Sequence, residues 1–459
     1  MLGQRMTRPF LHALSLLTAA LTTFAAAACG GDEAGGSGGG TTTTTTSSTG
    51  PGPGSGGAGG QGAGGEGQGG SASPDCGPEE EGGGGEPTLT LDDVLASLRT
   101  DRDGTLHEIS LTRGWPALLP DGYLFVSTSS NLTHVAGDHD GWVGAPLTAD
   151  QGFSWALVPI ASPGGGYKFT DLTAYEADPW ARSYTVDSFG ELSLIRPSIA
   201  HLDRYRDLGD ADLKPRDLRV WVPQGSINRV LYAHDGQNLF FDGGPFGSWR
   251  LEQSVPPGVL VVGIDNTSDR MDEYTHVTDT IGGNTVGGQG DAYVRFLGRT
   301  VRPLIQARYG EPGPLGVMGS SLGGLISLHI ADRCPGVYAF AASLSGTVGW
   351  GSIGDGNRNE TMLERYTAHT RPVASRLYLD VGGGPGSGCV DADGDGIEDD
   401  TDSSPDNYCE NEQLRRQLAA GGAYTEGANF DFAWHEGAIH NEAAWAARVG
   451  NPFSIFAGL

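Results

Sequence analysis

The stretch Gly316-Val317-Met318-Gly319-Ser320-Ser321-Leu322-Gly323-Gly324 decides the fold. It reads Gly-x-Ser-x-Gly only with Ser321 at its centre, because a frame on Ser320 would put Met318 and Leu322 where glycines are needed. Pro314 to Met318 is an apolar run of strand length, and Leu322 to Cys334 carries apolar residues at helical spacing. A strand that turns this sharply into a helix strains the serine and lifts its oxygen into a cleft, while small neighbours let strand and helix approach closely. The amide of Leu322 then points from the start of the helix at the place where an oxyanion would sit. A glycine-rich turn with a solvated serine is the competing reading; the strand–turn–helix context argues for a nucleophile.

Around this turn, strands and helices alternate from about Arg219 onward. Leu218–Val222, Arg229–Ala233, Val259–Ile264, Pro314–Met318, Tyr338–Leu344, Arg376–Val381 and Phe430–His435 read as strands. Ala292–Arg308, Leu414–Ala420 and Glu442–Val449 read as helices. Such alternation predicts a mainly parallel sheet with helices on both faces, and reactive groups at the carboxyl ends of its strands. His440 follows the last of these strands and lies downstream of the serine. A serine hydroxyl is a weak nucleophile at neutral pH, so an imidazole must take its proton and later give it to the leaving group. His435 sits inside the strand and is the weaker choice. In Val230-Leu-Tyr-Ala-His234-Asp235-Gly236-Gln237-Asn238, the glycine lets the Gln237 amide turn inward as a second oxyanion donor; an ordinary polar turn is the alternative.

Taken in order, Tyr-x-His-Asp-Gly-Gln-Asn-Leu-Phe, Val262-Gly-Ile-Asp-Asn266, Glu273-Tyr-Thr, Gly-x-Ser-x-Gly-Gly, Tyr378-Leu-Asp-x-Gly and Gly-x-x-His-Asn-Glu-x-x-Trp resemble the putative esterase family. That family includes enterochelin esterases, feruloyl and acetyl-xylan esterases and mycolyltransferases. The resemblance spans roughly Leu218 to Val449. It implies an α/β-hydrolase fold, Ser321 as nucleophile, His440 as base, and the Leu322 and Gln237 amides as the oxyanion hole.

The family's catalytic acid follows the strand that here is Arg376–Val381, and there the chain departs from the pattern. A glycine-rich run leads to Cys389 and an acidic insert, 389–409. Asp391, Asp393, Asp395, Gly396, Ile397, Asp399 and Asp402 follow calcium-loop spacing, with aspartate in place of glutamate at the twelfth position. The run also resembles thrombospondin type 3 repeats. A structural Ca2+ is therefore expected, with a solvated acidic loop as the alternative; no cofactor is expected for catalysis. Cys389 and Cys409 bracket the insert and would staple it. Asp391 comes first after the strand but would be the first calcium ligand, and one carboxylate cannot easily serve both metal and imidazole. Asp406, just ahead of the next helix, is therefore favoured as the acid, with Asp391 the alternate and Asp380 third.

Upstream the character changes. Residues 88–200 read as a small β-sandwich, opened by a short helix over Leu89–Leu98, with alternation in Tyr123–Thr128, Phe153–Val158 and Tyr167–Phe169. The order of these features resembles immunoglobulin-like domains that precede glycogen-branching enzymes, and the related glycogen-binding modules. That resemblance implies Trp142, Trp155 and Lys168 as sugar contacts; burial of both tryptophans in the core is the alternative. Residues 30–87 read as a Gly/Ser/Thr/Pro linker without chemistry. Residues 1–29 read as an export signal, with Arg5 and Arg8 before an apolar run that ends Ala26-Ala27-Ala28-Cys29. This end resembles a lipobox and implies lipidation of Cys29, hence anchorage to a bacterial cell envelope; cleavage that frees the protein for secretion is the alternative.

Of 459 residues, 76 are glycine and the net charge is −28, which argues against nucleic acid and against charge-driven binding to an anionic membrane. Membrane contact is expected only through the lipid. Residues 201–459 are thus expected to form an exported serine esterase acting on a small-molecule or polysaccharide-linked ester, with acetyl or feruloyl groups first and a siderophore ester next. A non-catalytic, calcium-stabilised binding lipoprotein is the reading from another class.

Overall fold

The computed structural model describes residues 74–77, 88–241, 244, 246–354, 358–400 and 406–459. The leader, Cys29, most of the linker and Asp402 lie outside the described residues.

Among the described residues, two α-helices rather than one precede the first strand. Leu91–Thr100 is capped by a reciprocal Thr90–Asp93 box. Arg102–Leu111 follows at once, capped by Asp101, whose carboxylate accepts the Gly104 amide at 3.0 Å. Residues 102–111 are expected within the β-sandwich after Leu98; the cap and the spacing of Thr105, Leu106 and Ile109 make them helix instead. In the strand Gly122–Ser127 both faces are buried, and its period of two divides them. Leu124 and Val126 pack under the helices, whereas Tyr123 and Phe125 face Val135, Tyr167 and Phe169 of a second sheet. The result is a two-sheet β-layer closed on one side by helices.

The second sheet does not stop at residue 200. It continues through Phe430–Trp434, Arg376–Val381, Phe340–Leu344, Leu315–Ser320, Arg229–His234, Val259–Ile264, Arg216–Val222 and His201–Leu208 into Ser183–Asp187 and onward. The link is an antiparallel pairing of Leu202 with Tyr184 and of Asp203 with Ser183. The six strands from Phe430–Trp434 to Val259–Ile264 run parallel. Arg216–Val222 is antiparallel to its neighbours on both sides. Both faces of the parallel part are covered: Val230 and Tyr232 belong to one core, Leu231 and Ala233 to the other. This is an α/β-hydrolase-like fold, as its near-continuous apolar strands require.

Part of the expected linker is docked. Pro74–Cys76 forms a 3-10 turn against the helical stretch Gly290–Tyr309. Cys76 is disulfide-bonded to Cys334, Arg302 donates to its carbonyl, and Asp75 pairs with Arg299 at 2.7 Å. Gly298 is needed there, because a Cβ would collide with the Asp75 carbonyl. The featureless assignment of 30–87 is corrected at these residues: a covalent bond and buried contacts offset their chain entropy. The other disulfide is Cys389–Cys409, which closes the acidic insert. A closing helix Gly450–Ala457, absent from the sequence reading, buries Phe456 against Phe340 with ring centroids 5.3 Å apart.

Candidate active site

Ser321 ends the strand Leu315–Ser320 and caps the helix Leu322–Arg333 with φ 55° and ψ −125°. A non-glycine residue held there carries backbone strain of the kind found at nucleophile turns. The two glycines of the motif serve close approach. A Cβ on Gly319 would stand 2.5 Å from the Gly323 carbonyl, and one on Gly323 would stand 3.1 Å from Asp235 Oδ2. The second contact shows that the loop after Arg229–His234 packs directly on the serine turn.

That loop is built to hold its shape. Asp235 lies at φ 61°, and Gly236–Asn238 forms a 3-10 turn. Arg270 donates to both Asp235 oxygens at 2.7 and 2.8 Å, and Asn266 Nδ2 donates to Oδ1 at 2.6 Å. The Arg270 guanidinium and these bonds outweigh burial and hold the Asp235 carboxyl below its ordinary value, although burial is the largest single influence. The Asn266 amide donates to Gln237 Oε1 at 3.1 Å. Leu322 and Gln237 each stand in the first turn of a helical segment, where a backbone N–H has no intrahelical acceptor.

His440 Nδ1 and Asp406 Oδ1 are 2.7 Å apart, and Asp406 is fully buried while His440 is partly open. Asp406 Oδ2 accepts from Ser345 Oγ at 2.7 Å and from the Gly382 amide. Arg448 Nη2 lies 3.4 Å from the same oxygen and also donates to Ser345 Oγ. The Arg448 Nε is 3.1 Å from Asp380 Oδ1, an ion-pair contact without hydrogen-bond alignment. One buried guanidinium thus faces two buried carboxylates. Burial pushes Asp380 up to about 7, Arg448 opposing and the neighbouring Asp406 adding to the rise. Trp445 sets its ring edge-on to His440, centroids 4.9 Å apart, and donates Nε1 to Ser345 Oγ at 3.2 Å. Asn441 caps the helix that follows, and Glu442 accepts from Asn238 at 3.2 Å, tying the histidine loop to the loop of Gln237. Ser345, Gly382, Asp406 and His440 follow the carboxyl ends of parallel strands, whereas Asp380 lies inside the strand Arg376–Val381.

Asp391 is placed elsewhere. Its carboxylate accepts the amides of Gly394, Asp395 and Gly396 at 2.7 to 2.9 Å within the exposed insert. Oxygens of Asp391, Asp393 and Asp395 lie within 4.8 Å of one another, a donor set of hard oxygens that fits a calcium ion. Asp399 Oδ2 accepts the Ala392 amide, and its carboxyl is raised by burial and by Asp393 and Asp391. Ile397, whose carbonyl was the expected seventh-position ligand, donates its amide to Asp395 Oδ1 at 2.7 Å.

The three residues expected to contact sugar do not form one surface. Trp155 packs with the helices on the outer face of the four-stranded sheet, away from the sheet that carries Lys168. Lys168 is buried, with Nζ 3.2 Å from the Phe189 carbonyl. Trp142 is exposed beside Tyr175, its Nε1 donating to Asp138 at 2.9 Å. Conversely, Ser345, Arg448 and Trp445 escaped the sequence reading as site residues. Trp445 closes the Gly-x-x-His-Asn-Glu-x-x-Trp motif, and Arg448 lies three residues further along the same helix, on the same face.

With this geometry in place, comparison with known proteins is informative. The family model described as "Putative esterase" matches residues 215–450, just over half of the chain. A protein of Bacillus subtilis strain 168, named uncharacterized protein YbbA, is 27% identical over 161 residues, covering 33% of this chain and 60% of that protein. The match therefore spans less than two thirds of that relative's length. Among solved structures, an IroE-like serine hydrolase from Shewanella oneidensis aligns over 56% of this chain and 80% of its own at 17% identity and TM-score 0.40. The siderophore hydrolase EstA from Aspergillus nidulans aligns over 55% and 94% at 18% identity and TM-score 0.41. The enterobactin esterase FES from Shigella flexneri aligns over 76% and 98% at 17% identity and TM-score 0.40.

Proposed function

The chain belongs to the putative esterase family, and from that premise we propose that it is a serine carboxylic-ester hydrolase working through an acyl-enzyme. The observation that carries this reading is the strained Ser321 at a helix start, set past the carboxyl ends of the same parallel strands as the His440–Asp406 pair. Ser321 Oγ attacks the ester carbonyl as His440 takes its proton, and the oxyanion is received by the amides of Leu322 and Gln237. Collapse breaks the bond to the alcohol, which leaves with the proton from His440. Water then attacks the acyl-enzyme by the same route and releases the acid. Asp406 fixes the imidazole so that Nε2 is free to serve as base. Acetyl or feruloyl esters on polysaccharide are the substrates proposed first.

The same reading makes the protein an exported lipoprotein, on the strength of the leader that ends at Cys29. It also assigns a structural calcium ion to the 389–409 insert, supported by the Asp391, Asp393 and Asp395 oxygens; Asp402 lies outside the described residues. The test of the enzymatic reading is hydrolysis of p-nitrophenyl acetate, butyrate and ferulate beside the Ser321→Ala variant. Loss of turnover in the variant with unchanged folding supports it, and equal activity in both sinks it.

A further inference from the structure

Where the loop that leads to His440 leaves its strand, the chain forms a groove of about 490 Å³ lined by Gly383–Gly386, Trp434, Glu436 and Gly437. Resting on the esterase reading above, we propose that this groove is the subsite for the alcohol half of the ester, and that it takes a ring bearing hydroxyl groups, stacked on Trp434 and donating to Glu436.

The platform is exposed and yet fixed. Trp434 is 43% exposed, a large apolar surface left to solvent at the end of a strand. Its Nε1 donates to the Gly383 carbonyl at 3.3 Å, and Tyr408 packs against it with centroids 5.3 Å apart at 57°. A pinned indole offers stacking area at little entropic cost. The other wall is Gly383, Gly384, Pro385 and Gly386, whose glycines leave a ring-sized space; a Cβ on Gly384 would meet only Trp434, at 3.6 Å. Glu436 is the one charged group in the lining, and none of the lining residues is cationic. The groove therefore favours hydroxyl donors over carboxylates or phosphates.

Its position selects the alcohol half. The groove wall is hydrogen-bonded into the histidine loop: Gly383 donates to the Ala438 carbonyl at 2.7 Å, and Gly437 donates to the Gly383 carbonyl at 2.8 Å. The preceding residue, Gly382, donates to Asp406. Since His440 must return its proton to the departing oxygen, the leaving alcohol lies on the imidazole side, and Glu436 and Gly437 of the loop that carries His440 form part of the groove. A sugar and a catechol share the required chemistry, each keeping a free hydroxyl when one is esterified.

The test compares kcat/KM for 2-hydroxyphenyl acetate, an acetylated hexose, ethyl acetate and ethyl ferulate in wild type and Trp434→Ala. The expected result is a loss of about tenfold for one or both ring alcohols, with both ethyl esters near wild type; which of the two falls identifies the ring. Gly384→Leu, which fills the space over the indole, should give the same selective loss. Equal losses on all four esters, a loss confined to ethyl ferulate, or no loss overturns the proposal. Calorimetric titration of Ser321→Ala, with and without Trp434→Ala, by catechol and by methyl glucoside reads the groove without turnover. Ring binding that weakens about tenfold without Trp434 supports the ring-binding half of the proposal. Hydrolysis that proceeds with no dependence on Trp434 in either measurement rejects the groove and leaves the esterase reading standing. Absence of hydrolysis with ring binding intact rejects the esterase premise, and with it the assignment to an alcohol half.

Discussion

Asp406 holds Nδ1 of His440 at 2.7 Å with one carboxylate oxygen, while its other oxygen is held by Ser345 and the Gly382 amide. This carboxylate therefore cannot rotate away from the imidazole without breaking buried bonds. Asp406→Asn should keep the fold and lower kcat by about four orders of magnitude, the cost of the wrong imidazole tautomer in serine hydrolases. Asp391→Asn should leave kcat near wild type. Steady-state kinetics on p-nitrophenyl acetate decides, and the reverse pattern would make Asp391 the acid.

Gly382 lies where the Asp406 carboxylate and the Ala438 carbonyl leave no room for a Cβ. Gly382→Ala must push one of them aside, and displacement of a catalytic group by about 1 Å costs on the order of 100-fold. The variant should lose at least tenfold in kcat with a smaller change in KM. Unchanged kcat would show that the acid is not anchored through this amide.

Asp380 sets a pH dependence of stability. Its carboxyl is raised to about 7 by burial, against about 4 in the unfolded chain. Between those values the native state keeps a proton that the unfolded state has lost, so this group's contribution falls as pH rises through the window. Asp380→Asn removes that loss. The Tm of the variant relative to wild type should therefore improve from pH 5 to pH 8. A relative Tm that is flat or worsens over that range contradicts the assignment.

The Cys76–Cys334 bond joins residues 258 apart in sequence. In the chain-entropy account a loop of that length removes about 5 kcal/mol from the unfolded state. Cys76→Ser with Cys334→Ser should lower Tm by several degrees, and a form beginning at residue 88 should show the same loss. Melting curves that superimpose on wild type would mean the native state offsets the bond elsewhere.

Calcium removal should act on the insert and spare the chemistry at the serine. Chelation should lower Tm and, since Tyr408 at the end of the insert packs on Trp434, change tryptophan fluorescence. Calcium-dependent recovery of both signals in wild type, absent in Asp391→Asn with Asp393→Asn, is the expected result. No response to chelator rejects the metal.

What was legible in the sequence was local. The turn at Ser321 announces itself by glycine spacing between an apolar run and a helical one, and the position of His440 after the last strand follows from chain order. That Asp406 rather than Asp391 pairs with His440 agrees with the argument that a metal and an imidazole compete for one carboxylate. What was not legible depends on tertiary approach. Nothing near Leu202 states that it pairs with Tyr184 and fuses two sheets. The count of cysteines leaves the partner of Cys76 open. Ser345 and Arg448 reach Asp406 from 61 and 42 residues away. The helix Arg102–Leu111 was hidden because Gly104 and two polar residues in its first turn blur the apolar period.

The central claim is that Ser321 forms an acyl-enzyme, and the most direct measurement is the pre-steady-state release of p-nitrophenol. It is best made on a soluble form that begins at residue 72 and so retains Cys76, with calcium present. The account predicts a burst stoichiometric with enzyme followed by slower turnover, and neither in Ser321→Ala. A folded wild-type protein that releases no nitrophenol, or a Ser321→Ala variant that still shows the burst, would contradict it.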